Sequence, residues 1–171
     1  LIDQAYDVGI RIGEMPDARI IARKIASNRR LLCAAPAYIK RHGQPSVPRD
    51  LQKQQCIVLR ENDAAYGSWH LHRGKRQESV KVRGALSSND GETTLAWALA
   101  GHGILMRSQW DVAPYLRSGR LVEVLADWSL PPSDIYAVYP ERLNLSAKVT
   151  AFVDFMSARF ASRLSESGDP W

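Results

Sequence analysis

Ser88, Asn89 and Asp90 stand in a row between a strand-like and a helix-like apolar pattern. Their short side chains carry oxygens that can take up the backbone N–H groups left free at a helix start. Asn89 with Glu92 three places on has the spacing of a capping box, so a helix is expected to open there. A helix start offers unpaired N–H groups and the positive end of a dipole, which together make an anion site. Arg11 is the second candidate. It lies near the end of an apolar alternation and just ahead of Gly13, where its guanidinium either clamps a carboxylate in bidentate fashion or pairs on the surface with Glu14 or Asp17. Arg60 and Glu61 follow the apolar run 56–59 directly, in a loop that either faces a ligand or is a solvated turn.

Other chemistry has weaker footing. His70 and His72 would share one side of a strand, as two metal ligands can, but no third ligand sits at suitable spacing, and an exposed strand face is the better reading. His102, between Gly101 and Gly103, reads as a helix-end residue favoured by the dipole. Cys33 and Cys56 each sit inside an apolar run and read as buried free thiols. There is no Gly-rich phosphate loop, nucleophile elbow or metal-ligand cluster in the sequence. No catalysis, metal or cofactor is therefore expected.

The elements that would hold the anion site come from the apolar periods. Val80, Val82 and Leu86 alternate with polar or small residues and predict a strand, with residues 95–100 forming a helix apolar nearly all round and 104–106 a second strand. The unit is strand, helix, parallel strand, and the loop after the first strand lies on the carboxyl edge of the sheet, where ligands bind. Elsewhere strands are expected at 8–12, 31–34, 56–59, 121–125 and 135–139, and the stretch 20–26, apolar at alternate and clustered positions, leads into that at 31–34. Trp69 and Leu71 pair back through a Gly74-Lys75 turn onto the stretch from Val80. Short helices follow Pro36 up to Gly43, with Tyr38 and Ile39 inward, and occupy 48–54 and 111–116. A last helix, capped by Ser146, carries an apolar stripe of Val149, Phe152, Val153, Met156 and Phe160, and residues 165–171 read as a disordered tail. Strands alternating with helices give an α/β fold with mixed or parallel sheets.

Composition agrees with a globular protein: 171 residues, 45% hydrophobic, enough for one domain or two small lobes. No apolar run reaches membrane-spanning length and no leader pattern is present, so a cytoplasmic protein without a membrane partner is expected. The net charge is +5. Arg23, Lys24, Arg29 and Arg30 form one basic group and Arg73, Lys75 and Arg76 another, without a recognition-helix pattern, so solvated surface is expected of both rather than a DNA contact.

Several segments, in order, resemble one family. Asn89-Asp90-Gly91-Glu92 followed by Ala100-Gly101-His102-Gly103-Ile104 resembles the NDGEA…LAGxGI segment of the effector-binding domain of LysR-type transcriptional regulators. Tyr6 to Gly13 resembles its yDvaiRiG, and Ala35-Pro36-Ala37-Tyr38, His42-Gly43 and Pro48-Arg49-Asp50-Leu51 resemble its asPaYLxxhGxPxxPeDL. Gly119-Arg120-Leu121-Val122 and Tyr136 to Pro140 are similar to GrLvxvL…vyavyP.

The resemblance implies two Rossmann-like lobes of the periplasmic-binding-protein type with a cleft between them. Lobe I would comprise 1–26 and 134–171, lobe II 27–133. It implies a small, organic and anionic effector in the cleft, contacted by Arg11, Arg60, Glu61, Ser88, Asn89 and Asp90. It also implies side-by-side self-association into a homodimer or tetramer. Because Leu1 is not a methionine and a strand pattern begins almost at once, the chain is expected to start inside a domain. The first lobe would then be incomplete, and the winged helix-turn-helix through which such regulators contact DNA would be absent. A solute-binding protein of a transport system is the alternative with the same lobe logic.

Overall fold

The computed structural model describes residues 6–13, 20–60, 67–141 and 146–167. In chain order the elements are strands β1 (Gly9–Ile12), β2 (Ile20–Ala26) and β3 (Arg30–Ala34), helix α1 (Pro36–His42), a 3-10 turn (Pro48–Lys53) and strand β4 (Cys56–Leu59). There follow β5 (Ser68–Arg73), β6 (Arg76–Lys81), β7 (Ser87–Ser88), α2 (Gly91–Leu99), β8 (Ile104–Ser108), α3 (Gln109–Arg117), β9 (Val122–Val124), β10 (Ile135–Pro140) and α4 (Ala147–Ser167). The chain divides into two compact units, Leu1–Arg29 with Pro132–Trp171, and Arg30–Pro131.

In the unit Arg30–Pro131 five strands lie in the order β7-β4-β8-β3-β9. β7, β4 and β8 are mutually parallel, while β3 runs antiparallel to both β8 and β9. Both faces of this sheet are covered, which explains why β3, β4 and the start of β8 read as unbroken apolar runs rather than alternating ones. Leu32, Ala34, Cys56, Val58 and Ile104 pack on one side with Tyr38, Leu51, Trp69, Leu71 and Val80. Leu31, Cys33, Ile57 and Leu105 pack on the other with Leu95 and Ala98 of α2 and Val112 of α3. Cys33 and Cys56 are buried and unbridged. The β5–β6 hairpin turns at Gly74-Lys75 and is tied to the rest of the unit by paired backbone bonds between His72 and Ser129.

The stretch after the hairpin departs from the expected strand 80–86. Val80 and Val82 are buried, but β6 ends at Lys81, and the parallel strand preceding α2 is the two-residue β7. Gly84 is the reason. Its Cα lies against the β4 backbone so closely that a Cβ would fall 2.8 Å from the Cys56 carbonyl carbon. The chain thus turns out of the hairpin and joins the larger sheet, with Cys56 N–H donating to Arg83 O at 2.8 Å and Val58 N–H to Leu86 O at 3.2 Å.

In the other unit β1-β10-β2 form an antiparallel sheet. Helix α4 lays Val149 and Val153, with Met156 and Phe160, against Ile25, Ile135, Ala137 and Tyr139. Phe152, expected in that stripe, is instead 37% exposed, because at about 3.6 residues per turn it falls to one side of the line through Val149, Val153, Met156 and Phe160. The helix continues through Ser165, Glu166 and Ser167, where a disordered tail was expected; 168–171 lie outside the described residues. Asp134 organises the chain end of this unit, accepting from Asn28 N–H at 3.1 Å and pairing with the Lys24 ammonium at 2.5 Å.

Candidate functional site

The carboxyl edge of the parallel strands β7, β4 and β8 gathers most of the sequence-derived candidates. Arg60 follows β4 at once, and its backbone N–H donates to Ser88 O at 2.8 Å, fixing the two loops side by side. Ser88 ends β7, half-buried, and Asn89 and Asp90 follow it, exposed.

The helix opens one residue later than the capping-box spacing indicates. Asp90, not Asn89, is the N-cap of α2. Its carboxylate accepts the Thr93 N–H at 2.8 Å and the Thr93 hydroxyl, while Ser88 Oγ accepts the Asp90 N–H at 3.0 Å. The Thr93 hydroxyl, followed by the Thr93 backbone N–H, holds the Asp90 carboxyl below its ordinary range. With Asp90 as the cap, Gly91 and Glu92 occupy the first turn, an acid where the dipole favours one. The expected all-round burial of α2 is also narrower: Thr94, Leu95 and Ala98 are buried while Ala96 and Ala100 are exposed.

The residue that sequence reasoning missed is Arg107, on β8. Its side chain is only 15% exposed, its Nε is held by the carboxylate of Asp111 in the first turn of α3, and its guanidinium lies against Gly91, the first residue of α2. A Cβ at position 91 would meet the guanidinium carbon at 2.7 Å, so glycine here makes the room that lets the charge approach the helix start. Among the described residues Nη1 and Nη2 have no acceptor, and they carry the donor capacity left after Asp111 takes Nε. A signal for it existed: Arg107 is the first charge after the apolar run 104–106, at the ligand-facing end of a strand, the same position that singled out Arg11.

Arg11 lies on β1 in the other unit, exposed, opposite Tyr136, with the neighbouring Gly13 N–H donating to Asp134 O at 2.8 Å. Glu61, and the surface partners Glu14 and Asp17 weighed for Arg11, lie outside the described residues. A separate hollow of about 240 Å³ occurs at the opposite, amino edge of β4, lined by Gln55, Cys56, Ile57, His102 and the 84–86 segment. His70 bonds Ser79 at 2.7 Å, and among the described residues no cluster of His, Cys, Asp or Glu could hold a metal. Among those residues, too, no helix is long and apolar enough to cross a membrane.

A parallel-strand edge with a capped helix start and a half-buried arginine belongs to a ligand-binding α/β domain. The chain is a member of the LysR substrate binding domain family, which residues 1–161 match. It is 44% identical over 167 residues to the HTH-type transcriptional activator TtdR of Escherichia coli K12, covering 97% of this chain and 53% of that protein. It is 43% identical over 161 residues to the HTH-type transcriptional regulator DmlR of the same strain, covering 94% and 52%. The chain thus spans about half the length of the curated relatives it matches.

Among solved structures it is similar to the regulatory domain of CrgA from Neisseria meningitidis, with TM-score 0.79, 25% identity, and 93% of this chain and 78% of that one covered. It is also similar to full-length AphB of Vibrio cholerae, a virulence activator, with TM-score 0.77, 28% identity, and 93% and 54% covered. The fold is accordingly α/β, of the periplasmic-binding-protein type found in LysR regulatory domains.

Proposed function

We propose that the chain is the effector-sensing part of a cytoplasmic LysR-type transcriptional regulator and that its effector is a small organic anion. The anion is held at the carboxyl edge of β7, β4 and β8, with Arg107 supplying the charge and the loop from Ser88 to Asp90, with Arg60, shaping the rim. The observation that carries this reading is the Arg107 guanidinium, 15% exposed, with Nε committed to Asp111 and its outer nitrogens toward Gly91. A planar fork in such a place recognises a carboxylate better than a point charge would.

Arg11 is the proposed second clamp, from the other lobe across a cleft. Sequence-specific contact with DNA belongs to a helix-turn-helix outside these 171 residues; the relatives' names and the half-length match support that division. The working assembly is a homodimer or tetramer, and the chain is a regulator rather than an enzyme, as its named relatives are.

A thermal-shift screen of aliphatic and aromatic carboxylates tests the proposal. A ligand at a hundredfold excess over its Kd adds about 2.7 kcal/mol, which raises Tm by roughly 5–11 °C for a domain of this size. Arg11→Ala should lose most of that shift while keeping its own unliganded Tm, since Arg11 is exposed and outside the core. Hits whose shifts are unchanged in Arg11→Ala would remove Arg11 from the site, and a screen without a carboxylate hit would sink the anionic effector.

A further inference from the structure

The charge of the chain is unevenly placed. Residues 68–83 carry Arg73, Lys75, Arg76, Lys81 and Arg83 against the single acid Glu78, a net of +4 out of the chain's +5. The remaining residues hold eighteen basic and seventeen acidic side chains, close to balance. All five basic residues are exposed, and they lie on or just after the β5–β6 hairpin, which forms its own two-stranded sheet.

Two of them are fixed in an arrangement that ordinary packing disfavours. Arg73 and Arg76 face each other directly across the hairpin, and like charges in that register repel. Both guanidinium groups stack on the ring of buried Trp128, at 5.0 and 5.6 Å from its centroid, and among the described residues only Arg76 has a carboxylate partner, Glu78 at 3.1 Å. The aromatic ring thus holds the two cations together while leaving, among the described residues, the edge of Arg73 and the remaining donors of Arg76 for an outside acceptor. Lys75 sits in the turn beside them, and Lys81 lies at the other end of the same strand.

We infer that this hairpin docks on the phosphodiester backbone of duplex DNA, without reading sequence. An acidic protein is a poorer fit, because protein interfaces carry an apolar or aromatic centre. The exposed large apolar residues among those described are Tyr6, Ile10, Ile12, Val47, Trp110, Phe152 and Phe155, none of them on the hairpin. The same lack argues against a lipid surface, which basic segments grip with apolar residues as well as charge. The inference stands apart from the effector reading and is independent of it. It reverses the sequence-level expectation that Arg73, Lys75 and Arg76 are merely solvated, because the structure adds Trp128 and the cross-strand register.

The test is fluorescence anisotropy of the whole 171-residue chain with a labelled duplex of arbitrary sequence, in a series of increasing KCl. Binding should weaken steeply, with log K falling by about 0.9 per phosphate neutralised for each unit of log salt. Lys75→Gln with Lys81→Gln leaves the Arg–Trp128 stack intact and should flatten the slope by about 1–2. Lys40→Gln with Lys53→Gln removes equal exposed charge elsewhere and should leave the slope unchanged. The inference fails if the chain does not bind at the lowest salt, or if both double variants flatten the slope equally. It also fails if polyglutamate displaces the duplex as well as unlabelled duplex does at equal charge, which would mark an acidic protein as the partner.

Discussion

Gly84→Ala should damage the fold more than any propensity scale suggests. Gly84 does not occupy a left-handed conformation, so backbone freedom is not what it supplies; closeness is. The added Cβ would stand 2.8 Å from the carbonyl carbon of Cys56 and 3.1 Å from its nitrogen, both backbone atoms of a buried strand that no rotamer change can move. Relief requires the 83–88 segment to lift from β4. That breaks the 2.8 Å bond from Cys56 N–H to Arg83 O, leaving a buried donor without a partner, and strains the 3.2 Å bond from Val58 N–H to Leu86 O. Overpacking of this kind costs about 1–3 kcal/mol and each lost bond about 1 kcal/mol more.

A total of about 3–4 kcal/mol lowers Tm by roughly 6–16 °C. Urea unfolding followed by tryptophan fluorescence is the assay, since Trp69, Trp97, Trp110 and Trp128 all lie in the unit Arg30–Pro131. Gly74→Ala serves as the comparison: φ there is +58° with no atom within 4 Å of the new Cβ, so only the left-handed backbone cost of about 1–2 kcal/mol applies. If Gly84→Ala unfolds within about 1 kcal/mol of wild type, the crowding argument is wrong.

Acid should act on the other unit through Asp134. The Lys24 ammonium beside it and the Asn28 N–H hold its carboxyl below the ordinary range, so its contribution is complete above the unfolded carboxyl's pKa and is lost as the pH falls through the lower folded value. Asp134→Asn should therefore be less stable near neutrality and approach wild type at pH 2–3; a gap that stays constant across a series of melts down to that pH would contradict this. The two thiols should be chemically silent in the native chain. Burial pushes Cys33 and Cys56 up to about 12, leaving about one thiolate in ten thousand at pH 8. Ellman's reagent should titrate both only after denaturant is added, and prompt reaction of either one in buffer would show that β3 or β4 is open.

Much of the fold can be read from apolar spacing because burial dictates it. The runs Leu31 to Ala34 and Cys56 to Leu59 are apolar at successive positions since both sheet faces are covered, and the hairpin turn at Gly74-Lys75 is written in its glycine. What escapes is set by contacts between distant positions. Nothing local to residue 84 reveals that its Cα touches Cys56, so the strand 80–86 looks continuous when the chain in fact changes sheets. The one-residue error at the cap has a similar origin. Asn89 and Asp90 are both good caps, and only the backbone path out of β7 selects the second. Arg107 was legible by the rule applied to Arg11, whereas its pairing with Asp111 and its seat against Gly91 needed the packed helix α3.

The central claim is that a guanidinium on β8 holds the carboxylate of an effector. Its most direct test is titration calorimetry with a carboxylate hit and with the neutral amide of the same compound, on wild type and on Arg107→Lys. Lysine keeps a charge beside Asp111, so the fold is retained, but it removes the planar fork. The account predicts that wild type binds the acid at least tenfold more tightly than the amide, and that Arg107→Lys loses most of that preference while its Tm changes little. Equal affinity for acid and amide, or an undiminished preference in Arg107→Lys, would contradict it.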